Sequence, residues 1–153
     1  MMALINDMKS EKEHPGQPKL VVSNNTKADG LVFAEKNSIG TFAFDIEKME
    51  DNLIFEEKTL QVLKEKNIDI ICLAGFMKIL SEKFIKSFSK PILNIHPSLL
   101  PSFKGLNTHQ RALKAGCLIH GATVHQITNK VDEGPILGQT LIDITKNSTA
   151  KQL

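Results

Sequence analysis

The chain has 153 residues, enough for one domain with a real core and too few for two ordinary domains. Hydrophobic residues make up 41% and charged ones 24%, the ordinary globular mixture. Lys and Arg total 19 against 17 Asp and Glu, a formal +2 that predicts no polyanion partner. Arg111 is the only Arg, which argues against a set of bidentate clamps on phosphates or bases. With neither Trp nor Tyr, only Phe or His could stack on single-stranded nucleic acid. The longest apolar stretch, about Ile70 to Met77, falls far short of the ~20 residues that span a bilayer. The first residues lack the basic start and apolar segment of a signal peptide. Cys72 and Cys117 stand too far apart to make a thiolate zinc cluster, and Cys72 reads as a small buried hydrophobe. The expectation is a soluble, cytoplasmic protein with no nucleic-acid or membrane partner.

In chain order, a short helical start around Ala3 to Met8 is followed by a polar loop broken by Pro15, Gly16 and Pro18. Leu20 to Asn24 reads as a buried strand, Lys27 to Lys36 as a helix, and Thr41 to Phe44 as a second strand. Ile54 to Lys66 is a helix with an apolar side of Phe55, Leu60, Val62 and Leu63, closed by Asn67. Asp69 to Ala74 is apolar on both faces, as a central parallel strand should be. Ser81 N-caps a helix to Phe88, and Pro91 to Ile95 is another buried strand. Thr108 to Ala115 forms a helix ended at Gly116. Ala122 to Ile127 and Leu137 to Ile144 are strands joined by a polar turn. No linker divides the chain, so residues 1–153 read as one domain. The alternation predicts an α/β fold, a mostly parallel open sheet with helices on both faces. Ligands then belong beyond the carboxyl ends of the strands, after Ala74 and after Ile95.

Three segments carry chemistry. In Asn94-Ile95-His96-Pro97, residues two apart share a face of a strand, so a carboxamide and an imidazole stand side by side while Leu93 and Ile95 pack the other way. That pair can stabilise an oxyanion and move a proton, although capping or loop bonding explains such a pair as well. The loop from Pro97 to His109, stiffened by Pro97 and Pro101, is long enough to shape a pocket or to be a mere connection. In the turn Val131-Asp132-Glu133-Gly134-Pro135, Asp132 is either a turn-former or a carboxylate that favours the imidazolium of His96. His125 reads as packed or pocket-lining, His109 as a helix-terminus residue, and His120 and His14 as ordinary surface or loop residues. No spacing of His and carboxylate suggests a metal. Gly75 lets the backbone approach a ligand, and Phe76, Met77, Ile79 and Leu80 could line an apolar slot or simply pack.

Four runs, Leu73 to Leu80 (LAGFMKIL), Asn94 to His109 (NIHPSLLPSFKGLNTH), His120 to His125 (HGATVH) and Val131 to Gln139 (VDEGPILGQ), resemble the phosphoribosylglycinamide formyltransferase family in order and spacing. The resemblance implies a Rossmann-like formyltransferase fold and a transfer from 10-formyltetrahydrofolate to the amine of glycinamide ribonucleotide in purine synthesis. It implies Asn94, His96 and Asp132 as catalytic residues. Asn94 and the His96 imidazolium stabilise the oxyanion, and Asp132 raises the His96 pKa and orders a proton-relaying water. Met77, Lys78, Ile79, Leu80, Asn94, His125 and Thr128 would hold the folate; Gly75 and Pro97 would contact the substrate. No metal is needed, a monomer or weak homodimer is expected, and a cis peptide before Pro101 is implied. Related formyltetrahydrofolate hydrolases share the Asn, His and Asp, and a non-catalytic folate-binding remnant is a third reading.

The sequence departs from that pattern at both ends. The family's first strand and its phosphate-binding loop, G-x-G-S-N, have no counterpart before Ala3, and the family's closing helix is only begun at Ser148. The first strand is central in the family's sheet, so its loss implies a gap with unpaired backbone groups, reduced stability and weak or absent activity. Lys78 stands where many relatives carry Arg, which keeps charge but loses planar bonding.

Overall fold

The structure, a computed structural model, describes residues 1–46 and 49–153, with side chains outside 49–51. The chain divides into two compact units, Met1–Asp69 and Ile70–Leu153. Its strands form two separate hydrogen-bonded sheets, one in each unit.

In the first unit, α1 (Met2–Ser10) precedes β1 (Leu20–Ser23), α2 (Asp29–Lys36), β2 (Gly40–Ala43) and α3 (Met49–Glu65). β1 and β2 pair in parallel, Leu20 opposite Gly40, and α2 packs on both. The parallel pairing follows from the helical crossover between the strands, since a tight turn would force them antiparallel. Every β1 residue is half-buried, where the sequence suggested a buried strand. α2 ends in a left-handed turn at Ser38, with Ser38 N–H donating to Glu35 and Ile39 N–H to Ala34. That closure folds Ile39 back over the helix end, where it joins Ile5 and Ala34 in a buried apolar cluster. α3 closes in the same way at Asn67, in the left-handed region, with Ile68 N–H on the Leu63 carbonyl. It begins at Met49, ahead of the apolar side that marked it in the sequence.

The second unit contains β3 (Ile71–Leu73), α4 (Glu82–Phe88), β4 (Ile92–His96), α5 (Thr108–Lys114), β5 (Ile119–Gln126) and β6 (Ile136–Asp143). Its sheet runs β3-β4-β5-β6: the first pair is parallel and the other two are antiparallel, so the architecture is α/β with mixed pairing. β3, expected at the centre of a sheet, is the end strand of this one. Cys72 is exposed and Ile70 is 45% exposed, which corrects the buried-hydrophobe reading of Cys72. An apolar run fits residues for burial on both faces but does not supply the neighbouring strand. Ile95, assigned to a packed face, is likewise 52% exposed. Ser81 caps α4 as expected, accepting from Phe84 N–H at 3.0 Å, and Gly116, at φ +71, closes α5. The Leu100–Pro101 peptide bond is cis. Among the described residues, no helix is long and apolar enough to cross a membrane.

Candidate active site

Asn94 and His96 sit at the C-terminal end of β4, which pairs edge to edge with β5. The antiparallel register sets Asn94 opposite His125 and His96 opposite Thr123. Both β5 residues belong to the buried set that alternates along that strand. The alternation follows from the period of two, with Gly121, Thr123 and His125 on one side.

Asp132 reaches the same place from the β5–β6 connection. Its backbone is left-handed, at φ +52, a conformation Asp tolerates better than most residues. Gly134 makes this turn compatible with β5, because a Cβ there would collide with the Gln126 carbonyl. The turn is pinned by Gln126 N–H donating to Pro135 at 2.9 Å. Asp132 Oδ2 accepts the Gly105 N–H at 2.8 Å and lies 3.3 Å from His96 Nδ1; its Oδ1 lies 3.6 Å from His125 Nε2.

His96 is thus held on both ring nitrogens. Nε2 lies 3.0 Å from the Phe103 carbonyl and Nδ1 faces the Asp132 carboxylate. Both partners only accept, so a ring with two N–H groups satisfies both. The Phe103 carbonyl fixes Nε2 as an N–H and leaves Nδ1 as the nitrogen beside the acid, available for proton transfer. With side-chain exposures of 7% for His96 and 10% for Asp132, this contact is largely shielded from water. Asn94 Nδ2 lies 3.2 Å from His125 Nε2.

The loop after β4 is braced by a buried polar network that the sequence reading did not find. Thr123, fully buried, donates to the Ser98 carbonyl at 2.7 Å and accepts the Leu100 N–H at 3.0 Å. Gln139 adds bonds of 2.9 Å to Leu100 and to Thr123 Oγ1. Ser98 donates to Ser102 at 2.6 Å, and Arg111 donates to the Lys104 carbonyl at 2.6 Å while its guanidinium lies over the Phe103 ring. Lys104 and Glu133 pair at 2.8 Å, which holds the Glu133 carboxyl below its usual range.

His120, expected at the surface or in a loop, lies in β5 and is only 2% exposed. Its Nε2 lies 2.9 Å from His109 Nδ1. Burial and the facing His109 push its imidazole below the ordinary value, and the backbone of Pro97 opposes them. HGATVH alone could not reveal this, because alternation on β5 does not say which residues also reach a neighbouring helix.

The site therefore brings together Asn94, His96, His125 and Asp132. Pro97 follows directly on His96 and is exposed. Gly75, at φ +72, and Met77, Lys78, Ile79 and Leu80 lie on the loop after β3, at the same end of the sheet because β3 and β4 are parallel. Met77 and Ile79 are 77% and 72% exposed, an apolar surface on offer. Thr128 bonds within its own turn, to Lys130. Among the described residues, no group of three or more His, Cys, Asp or Glu is arranged to hold a metal.

An amide donor and a carboxylate-paired imidazole at the end of β4 suit acyl-type transfer, in which an oxyanion forms and a proton moves. The chain belongs to the formyl transferase family, whose profile it matches over residues 1–153. Among solved structures, phosphoribosylglycinamide formyltransferase from Brucella melitensis is 41% identical at a TM-score of 0.89, with 98% of this chain and 77% of that one covered. Glycinamide ribonucleotide transformylase 1 from Symbiobacterium toebii is 32% identical at a TM-score of 0.89, with 99% and 71% covered. The phosphoribosylglycinamide formyltransferase of Haemophilus influenzae is 40% identical over 139 residues, 91% of this chain and 66% of that protein. The human trifunctional purine biosynthetic protein adenosine-3 is 40% identical over 153 residues, and the chain spans only 15% of its length.

Proposed function

We propose that the protein transfers the formyl group of 10-formyltetrahydrofolate to the amine of glycinamide ribonucleotide. The amine nitrogen attacks the formyl carbon and forms the new C–N bond, giving a tetrahedral oxyanion. Asn94 donates a hydrogen bond to that oxygen, and His96, as the imidazolium paired with Asp132, stabilises it and supplies a proton to the leaving folate nitrogen. The C–N bond to the folate then breaks, and the proton lost by the attacking amine returns to the His96–Asp132 pair. The observation that carries this reading is the meeting of Asn94, His96 and Asp132 at one end of β4, with His96 Nδ1 at 3.3 Å from the acid. The exposed Met77 and Ile79, with Lys78 and Leu80 beside them, are assigned to the folate, together with Thr128; His125, expected to hold the folate as well, is 1% exposed and bonded to protein on both ring nitrogens, and is not assigned to it. Gly75 and Pro97 are assigned to the substrate. Residues 1–153 act in this reading as one formyltransferase domain, supported by the family match across the whole span. The same reading makes the protein a cytoplasmic monomer or weak homodimer, testable by sedimentation.

Mixing the protein with glycinamide ribonucleotide and a 10-formylfolate should yield deformylated folate only when the amine is present. Formate release without the amine would make it a hydrolase instead. Folate binding without turnover at high protein concentration would overturn transfer as its activity.

A further inference from the structure

His125 is a buried titratable group to which proton transfer gives no task. Its side chain is 1% exposed, so every hydrogen-bonding position on the ring must be met by protein. Nδ1 lies 3.1 Å from the Gln126 carbonyl, which only accepts, so Nδ1 carries a hydrogen. In the neutral ring Nε2 is then a lone pair. The group 3.2 Å from it is the Asn94 carboxamide nitrogen, a donor. The two bonds agree on a single tautomer, and the strand register enforces their contact, since Asn94 and His125 are directly opposed.

We infer that His125 is a positioning residue that fixes the Asn94 carboxamide with its nitrogen toward β5, leaving the second N–H of that nitrogen for the developing oxyanion. The inference rests on the role proposed for Asn94. A carboxamide has two ends of nearly equal shape and a broad terminal torsion, so packing alone selects its orientation weakly. A lone pair facing one end selects it firmly. Two other titratable groups face the ring. Asp132 Oδ1 lies 3.6 Å from Nε2, and the His96 ring stands nearly perpendicular, with centroids 6.5 Å apart. A second proton, on Nε2, would point to Asp132 and leave Asn94 without its acceptor. The neutral ring instead leaves the Asp132 charge to His96, so one histidine is a silent orienter and the other carries the proton.

The test combines nitrogen-15 spectra of the histidines with kinetics of two variants. The wild-type spectrum should show His125 protonated at Nδ1 and bare at Nε2, with an Asn94 carboxamide signal that shifts in His125→Leu. His125→Leu should lower kcat about 100-fold with KM nearly unchanged, the scale of losing one oxyanion donor. His125→Gln keeps an acceptor for Asn94 and should recover most of that loss, which a merely structural role would not predict. A wild-type spectrum with the hydrogen on Nε2 overturns the inference whether or not the protein turns over. So does His125→Leu with undiminished kcat. A wild-type protein without turnover but with the Nδ1–H tautomer counts against the proposed function and leaves the orienting bond standing.

Discussion

Met1–Asp69 and Ile70–Leu153 both bury apolar side chains, but the second unit buries more polar ones. The first unit closes around Ile5, Ala34 and Ile39, with Met1, Val21 and Phe33 packed against them. It also buries Thr59, 5% exposed, whose hydroxyl finds no hydrogen-bond partner among the described residues. The second unit buries Ser98, Thr123, His96, His120 and His125, and each of these polar side chains is bonded. An apolar cluster tolerates changes that keep volume, because its forces are non-directional. A buried polar network holds only if every donor meets an acceptor, so it fixes side-chain orientation as well as position. That is what proton transfer requires, and the candidate catalytic groups all lie in the second unit.

The contrast can be broken at several points, the largest effect first. His96→Ala should reduce amine-dependent formyl transfer by about 10²- to 10⁴-fold, the usual worth of a positioned acid–base group. A smaller loss in a steady-state assay would remove His96 from the chemistry. Thr123→Val should lower stability by about 2–3 kcal/mol in urea denaturation, since it strands the Leu100 N–H and the Ser98 carbonyl in the interior. Thr59→Val has the same shape change but should be neutral or gain up to about 1 kcal/mol, because the hydroxyl it removes has no partner among the described residues. Equal effects of the two substitutions would erase the distinction between the units.

The smallest effect is a pH dependence. Burial and His109 lower the proton affinity of His120 in the folded chain. Below about pH 6.5 the unfolded chain therefore binds more protons at this residue than the folded one. Stability from His120 is complete above that pH, declines as pH falls, and levels off once the folded His120 is itself protonated. His120→Gln should flatten the curve of urea midpoint against pH across that window, and an unchanged slope would assign the pH dependence to other groups.

Much of this was legible in the residues. The helix ends at Asn67 and Gly116 and the cap at Ser81 are local chemistry, decided within four or five residues, and they stand where the sequence put them. Asn94 and His96 share a face because strand geometry has a period of two, and the resemblance of four runs to a formyltransferase brought Asp132 beside them before any coordinates did. The misreadings at Cys72, Ile95 and His120 have one cause. Cys72 and Ile95 lie in strands that were expected and His120 in a strand that begins at Ile119 rather than Ala122, but the exposure of each depends on what lies across from it, and no local pattern carries that.

Sequence alone determined the family, the order of the elements and the chemical types available at the ends of the strands, because these follow from short-range periodicity and from runs of residues kept together. Tertiary structure alone decided that Phe103 offers His96 a carbonyl, that Thr123 braces the loop and that His125 faces Asn94. Hydrogen bonds are directional and act across contacts between segments distant in the chain, so which donor meets which acceptor exists only once the strands are in register.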